Sequence, residues 1–218
     1  MRVLKAFAAL LSYPRGEVLD ALDGVSAVIG TERKLRKSDR AALRAFVDDL
    51  LSKDLLDLQE HYVALFDRGR ATSLNLYEHV HGDSRDRGQA MVDLVNIYRS
   101  GGLELATSEL PDHLPVLLEY LATRPQSEVR EMLADCAHLL RAIGDALVQR
   151  HSHYAAVLGA LLTLAGERGL ETSRKQAGGD EPTLDEEWIE QPVLFGLGCG
   201  DARRSSTTQT IRFVRKSA

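Results

Sequence analysis

The chain has 218 residues, 44% of them apolar and 27% charged, with a net charge of −5. That length supports one substantial core without covalent or metal staples, and the acidic balance removes any general electrostatic case for nucleic acid or an anionic membrane surface. The two cysteines, Cys136 and Cys199, sit in neither a CxxC nor a Cys/His ligand spacing, which points to a reducing compartment and away from a structural zinc or a disulfide framework.

Helical periodicity dominates the first 168 residues. Met1 to Leu11 has an apolar run only from Ala6, with Lys5 before it and no small-x-small cleavage site after it. It reads as an amphipathic helix rather than a secretory leader, with Leu4, Phe7, Ala8 and Leu11 on one face and Tyr13-Pro14 as its stop. A second helix is expected over Glu17 to Val28, and the charged stretch Thr31 to Lys37 reads as a linker. Ser38 then offers an N-cap for a helix whose apolar stripe is Leu43, Phe46, Val47, Leu50 and Leu51.

Asp54 to Phe66 reads as one helix with Leu55, Leu58, Tyr62 and Phe66 on a stripe. Ala71 to Asp83 has no clear period and reads as a short helix broken at Gly82. Helix returns from Ser84 to Tyr98 through Met91, Leu94, Val95 and Tyr98, and Gly101-Gly102 ends it. After the loop to Asp112 comes a helix carrying Leu114, Leu117, Leu118 and Leu121, closed by Pro125. Ser127 to Arg150 reads as the longest helix, with Cys136 on its apolar stripe, and Tyr154 to Arg168 as the last. No run approaches the roughly 20 apolar residues a bilayer span needs, so a cytoplasmic location without stable membrane association is expected. The fold class is all-α: one helical bundle over 1–168.

Residues 169–218 differ in character and read as a partly flexible tail. Glu171 to Gly200 carries seven acids against Arg174 and Lys175, and Arg203 onward is basic. Between them Trp188, Ile189, Val193, Leu194 and Phe195 make an apolar island expected to dock on the helical body or on a partner. Cys199, between glycines, reads as exposed.

Leu74 to Leu94 concentrates the unusual chemistry. His79-Val80-His81 with Glu78 and Asp83 suggests metal ligands, but on a helix residues two apart point about 200° away from each other, and no third histidine or cysteine pair supports a site. Side-chain hydrogen bonding that fixes a loop is the better reading. Asp83-Ser84-Arg85-Asp86-Arg87 could bind a phosphate or do acid–base work. The plainer reading has Asp83 or Ser84 capping the next helix while Arg85 and Arg87 pair with nearby acids. The remaining histidines are scattered, and neither a nucleophile elbow nor a phosphate loop is present. A helical nucleotide-binding or hydrolytic factor built on His79, Asp83, Asp86 and Arg87 is the alternative reading; residue chemistry itself offers no enzyme, metal site or permanently bound cofactor.

The run Tyr77-Glu78-His79-Val80-His81-Gly82-Asp83-Ser84-Arg85-Asp86-Arg87-Gly88-Gln89-Ala90-Met91 resembles the signature of the NarJ-type chaperones, the molybdenum cofactor assembly factors of respiratory nitrate reductase. Tyr62 to Asp67, Glu109 to Leu121 and Trp188 to Phe195 are similar to the same family, so the resemblance covers most of 1–196. It implies an all-helical fold of the TorD type and a non-enzymatic role. The family binds the apo catalytic (alpha) subunit, in part through that subunit's N-terminal segment, and holds it until bis-molybdopterin guanine dinucleotide is inserted, before membrane docking. It implies partner-binding residues among Tyr77, Glu78, His79, Asp83, Asp86, Arg87 and Asp93, then in the Pro111, Asp112, His113, Leu114 loop, a hinge in the related fold. Leu65, Phe66, Leu76 and Tyr77 would supply apolar walls for a peptide. The working form would be a monomer or homodimer.

Overall fold

The computed structural model describes residues 1–81, 85–106 and 109–170, with His81 and Arg85 described in backbone only. The described residues fall within one compact unit. The expectations for the tail, Trp188 to Phe195 and Cys199 included, lie outside the described residues, as do those for Gly82, Asp83 and Ser84.

Eleven α-helices are described: α1 Arg2–Leu11, α2 Gly16–Asp20, α3 Leu22–Thr31, α4 Lys37–Ser52, α5 Leu55–Tyr62, α6 Glu78–His81, α7 Arg85–Ser100, α8 Leu114–Ala122, α9 Gln126–Asp135, α10 Ala137–Gln149 and α11 Ala155–Ala165. There is no strand among the described residues, and the fold is all-α. α11 is the axis of the bundle. It is apolar on every side, buries eight of its eleven residues, and packs against α10, α9, α4 and α1. A helix without a polar face has no solvent side to turn outward. α1 lies against α8, α3 and α11, with Val3, Leu4, Phe7 and Leu11 fully buried, so the N-terminal stretch is a core helix.

Several expected elements differ in instructive ways. The single helix over Ser127 to Arg150 is broken at Cys136, whose φ −89°, ψ 0° joins α9 to α10. A straight helix of 24 residues would run about 36 Å, well past the eleven residues of α11. The break lets both halves fold back onto α11, and Cys136 is buried at the corner. Burial pushes its thiol up to about 12, which makes it inert packing material. Likewise α2 and α3 are separate, joined at Ala21.

α4 starts before Ser38. Arg36 is its N-cap, and Asp39 at the third helical position accepts from the Arg36 backbone N–H at 3.1 Å and from its guanidinium at 2.8 and 3.0 Å. The carboxylate three residues in did the capping work that the hydroxyl was expected to do. Leu51, placed on the apolar stripe by spacing, is exposed at the end of α4. After α5, capped by Asp54, residues Val63–Asp67 form a turn of π-helix rather than continuing the α-helix. Thr72 closes this turn, its hydroxyl donating to the Leu65 carbonyl. A Cβ on Gly69 would lie 2.7 Å from that same carbonyl oxygen.

Candidate functional site

The site is a crossing of two non-helical segments. Residues 73–77 run antiparallel to 112–114, joined by the isolated bridge Asn75–His113. Leu76 N–H donates to the Asp112 carbonyl at 3.2 Å, and Leu114 N–H to the Leu74 carbonyl at 2.9 Å. Asp112 adds its side chain: Oδ2 accepts from Tyr77 N–H at 2.9 Å, just before α6. Tyr98 of α7 ties in the other edge, its hydroxyl donating to the Pro111 carbonyl at 2.7 Å.

Glu78 is the second hub. Its Oε2 accepts from Ser73 Oγ at 2.5 Å, and Oε1 from Asn75 Nδ2 at 3.4 Å and Arg87 Nη2 at 3.3 Å. His79 completes the loop, with Nε2 2.9 Å from the Ser73 carbonyl, so Nε2 carries a proton. Thus Arg87 does pair with a nearby acid, and His79 does fix a loop. Among the described residues no group of three or more His, Cys, Asp or Glu side chains could hold a metal ion.

Burial works against the Glu78 carboxylate, yet the Ser73 and Asn75 donors and Arg87 hold it below its ordinary range. Asp112 is the opposite case: burial lifts it above the usual aspartate range, although the Tyr77 N–H and Arg87 pull it down. Its Oδ1 and the Nδ1 of His113 are buried with no hydrogen-bond partner among the described residues. The Glu109 carboxylate is 3.8 Å from that Nδ1, too far for a hydrogen bond.

Burial lowers His113 below the ordinary 6.5 although Glu109, Asp112 and Asp67 pull upward. His61 is lowered for the same reason. In the unfolded chain both take a proton as pH falls through 6.5, while in the fold they resist it. Stability is therefore expected to fall from pH 7.5 to pH 5.5. Asp112, raised in the fold, has the opposite slope and acts lower, in the carboxylate range. Urea midpoints at the two pH values check this, and His113→Gln should flatten the difference.

The expected site residues fall into three sets, two of which share Tyr77 and Leu114. Tyr77, Glu78, His79, Arg87, Pro111, Asp112, His113 and Leu114 are brought together at the crossing. Leu65, Phe66, Leu76, Tyr77 and Leu114 are buried in the core; Phe66 lies 4.7 Å from Tyr62 and 4.9 Å from Tyr154, ring to ring. They therefore form the floor under the crossing rather than open walls. Asp86 and Asp93 are exposed on α7, with Asp93 accepting from Gln89 at 2.9 Å. Asp83 lies outside the described residues. Ser73, Asn75 and Tyr98 were not singled out by sequence; a small polar residue five positions before Glu78 carries no periodic signal.

The described residues thus make a helical bundle in which residues 73–77 and 112–114 are tied together by hydrogen bonds. The same fold occurs in a redox enzyme maturation protein from Archaeoglobus fulgidus, matched with a TM-score of 0.55 at 23% identity over 77% of this chain and 94% of that one. The profile of the family described as nitrate reductase delta subunit matches residues 32–159. The chain is 47% identical over 201 residues to the nitrate reductase molybdenum cofactor assembly chaperone NarJ of Escherichia coli K12, covering 88% of this chain and 85% of NarJ. NarW of the same strain is 40% identical over 201 residues, 89% of this chain and 84% of NarW. The chain belongs to this nitrate reductase assembly-chaperone family, a family of chaperones and not of enzymes. No described helix is long and apolar enough to cross a membrane.

Proposed function

We propose that this chain is a dedicated cytoplasmic chaperone of a respiratory nitrate reductase. It binds the apo catalytic (alpha) subunit, including its N-terminal segment, and holds it while bis-molybdopterin guanine dinucleotide is inserted, releasing it before membrane docking. The chaperone keeps no cofactor of its own. The observation that carries this reading is the 47% identity to NarJ over most of both chains. The crossing supports it, because side-chain hydrogen bonds hold Glu78, His79 and Arg87, each half-buried, beside the core.

The test is binding of the full chain to a synthetic peptide covering the N-terminal segment of the catalytic subunit from the same organism. An Asp86→Ala, Arg87→Ala double variant, checked for folding by circular dichroism, is measured beside it. Saturable wild-type binding, weakened at least tenfold in the folded variant, is expected. Equal binding by both would make the α6–α7 region scaffold, and absence of wild-type binding would remove peptide capture from the function.

A further inference from the structure

The charged stretch that reads as a linker in sequence builds a basic surface in the fold. Residues 31–44 carry Arg33, Lys34, Arg36, Lys37, Arg40 and Arg44 against Glu32 and Asp39, a local net of +4 in a chain whose total is −5. Asp39 is buried and bound by the Arg36 guanidinium, so that pair is neutral. The exposed bases Arg33, Lys34, Lys37 and Arg44 then face solvent against the half-buried Glu32. Lys37, Arg40 and Arg44 recur on α4 at spacings of three and four, which puts them on one face. Arg40 donates to the Glu32 and Leu35 carbonyls at 3.0 and 2.7 Å, tying the turn to that face. Nη2 of Arg44 lies 3.2 Å from where a Cβ on Gly30 would stand, beside the end of α3.

The end of α11 extends the same surface. A Cβ on Gly169 would collide with the Arg36 guanidinium. Arg130 Nε donates to the Ala165 carbonyl at 3.4 Å, and Arg141 Nη2 to the Arg168 carbonyl at 2.7 Å. Bases gather there because a helix C-terminus carries partial negative charge. Arg130 and Arg168 are exposed, and Glu167, 4.0 Å from Arg141, is the acid on this strap.

We infer that this basic surface is a contact for an anionic phospholipid bilayer, held by charge and readily reversed. The inference goes beyond the chaperone reading and does not depend on it. What selects lipid over a protein partner is the absence of an anchor. The large apolar side chains exposed among the described residues are Tyr13, Leu51, Leu56, Val92 and Leu110, none of them in the basic turn or on the strap. A specific protein interface is built around such side chains. An anionic leaflet needs only several bases close to it. The overall −5 does not cancel the attraction, since charges more than about 10 Å further off are screened at 0.1 M salt. With no apolar anchor on the surface and no described helix able to cross a membrane, charge is the single force, and one signal gives marginal binding. The contact is therefore transient and salt-sensitive.

The test is co-sedimentation of the full chain with vesicles of phosphatidylcholine mixed with phosphatidylglycerol, beside vesicles of phosphatidylcholine alone. Binding to the anionic vesicles is expected at about 50 mM NaCl, with at least a fivefold loss at about 300 mM, and none to the neutral ones. Arg33→Glu, Lys34→Glu, Lys37→Glu should weaken it at least tenfold; Arg36 and Arg40, which build the turn, are left intact. Lys34→Glu with Lys37→Glu serves if the triple variant fails to fold. Arg15→Glu, Arg68→Glu, Arg99→Glu makes the same change of net charge at exposed bases elsewhere and should retain most of the binding. An equal loss in both triples would make net charge the cause and overturn the surface. So would unchanged binding in the folded Arg33/Lys34/Lys37 variant, or no wild-type binding to anionic vesicles. If vesicles fail while that variant loses affinity for the whole apo catalytic subunit, the surface belongs to a protein contact and the lipid reading is overturned. Peptide affinity, measured separately, should not change in the variant, so this inference and the chaperone reading fail independently.

Discussion

Phe7→Ala is expected to lower the unfolding free energy by about 3–5 kcal/mol, the usual cost of deleting a fully buried phenylalanine. Phe7 has no exposed surface, and α1 is enclosed by α8, α3 and α11. The cavity would be walled by packed helices, which cannot collapse far into it. In a body of this size each kcal/mol moves Tm by about 2–4 °C, so a drop of roughly 10 °C should be seen by circular dichroism at 222 nm. Leu56→Ala is the contrast: Leu56 is 76% exposed, and its removal should stay within about 0.5 kcal/mol. A loss below about 1 kcal/mol for Phe7→Ala would mean that α1 is not part of the core.

What the sequence made legible follows from what each signal measures. Apolar spacing found α1, α4, α5, α7, α8 and α11 because each has a face that must be buried, and it fixed the all-α class. It did not find the break at Cys136, since apolar residues recur on both sides of it and only the short length of α11 requires the turn. Nor did it find the π-helical turn at Val63–Asp67, where Leu65 and Phe66 remain inward while the backbone register shifts by one residue. Leu51 fits its stripe yet is exposed, one residue before the end of α4. The unusual composition of 74–94 marked the region of the crossing. Its key partner, Asp112, lies 35 residues from Tyr77, a pairing that no local period encodes. Asp112 appeared in sequence only through the family resemblance, as a hinge residue; its role as an acceptor for the Tyr77 N–H is a tertiary fact.

Glu78→Ala should have the largest effect of any change at the crossing itself, a loss of about 2 kcal/mol. The carboxylate gathers Ser73, Asn75 and Arg87, and hydrogen bonds to a charged group contribute about 1.5–3 kcal/mol. The Glu78–Arg87 pair is partly solvated, with 29% and 21% of the side chains exposed, so it adds little beyond its hydrogen bond. The greater cost is Ser73, only 4% exposed, whose hydroxyl would lose its acceptor in a dry site. Glu78→Gln keeps an acceptor oxygen for Ser73 and should recover about half of the loss. The pH dependence has a definite sign. A carboxylate held below its ordinary 4.5 in the fold stabilises above that value, and the contribution is lost as pH falls through the folded pKa. The gap between wild type and Glu78→Gln should therefore be full at pH 7 and shrink in acid. Hydrogen exchange separates local from global effects. With Glu78 removed, the Leu76 and Tyr77 amides should lose protection ahead of those in α11, because residues 73–81 would then have lost the Ser73, Asn75 and Arg87 ties to that carboxylate. If those two amides kept their protection while peptide affinity still fell, Glu78 would be a direct contact of the partner rather than the brace that positions α6 and Arg87 for it.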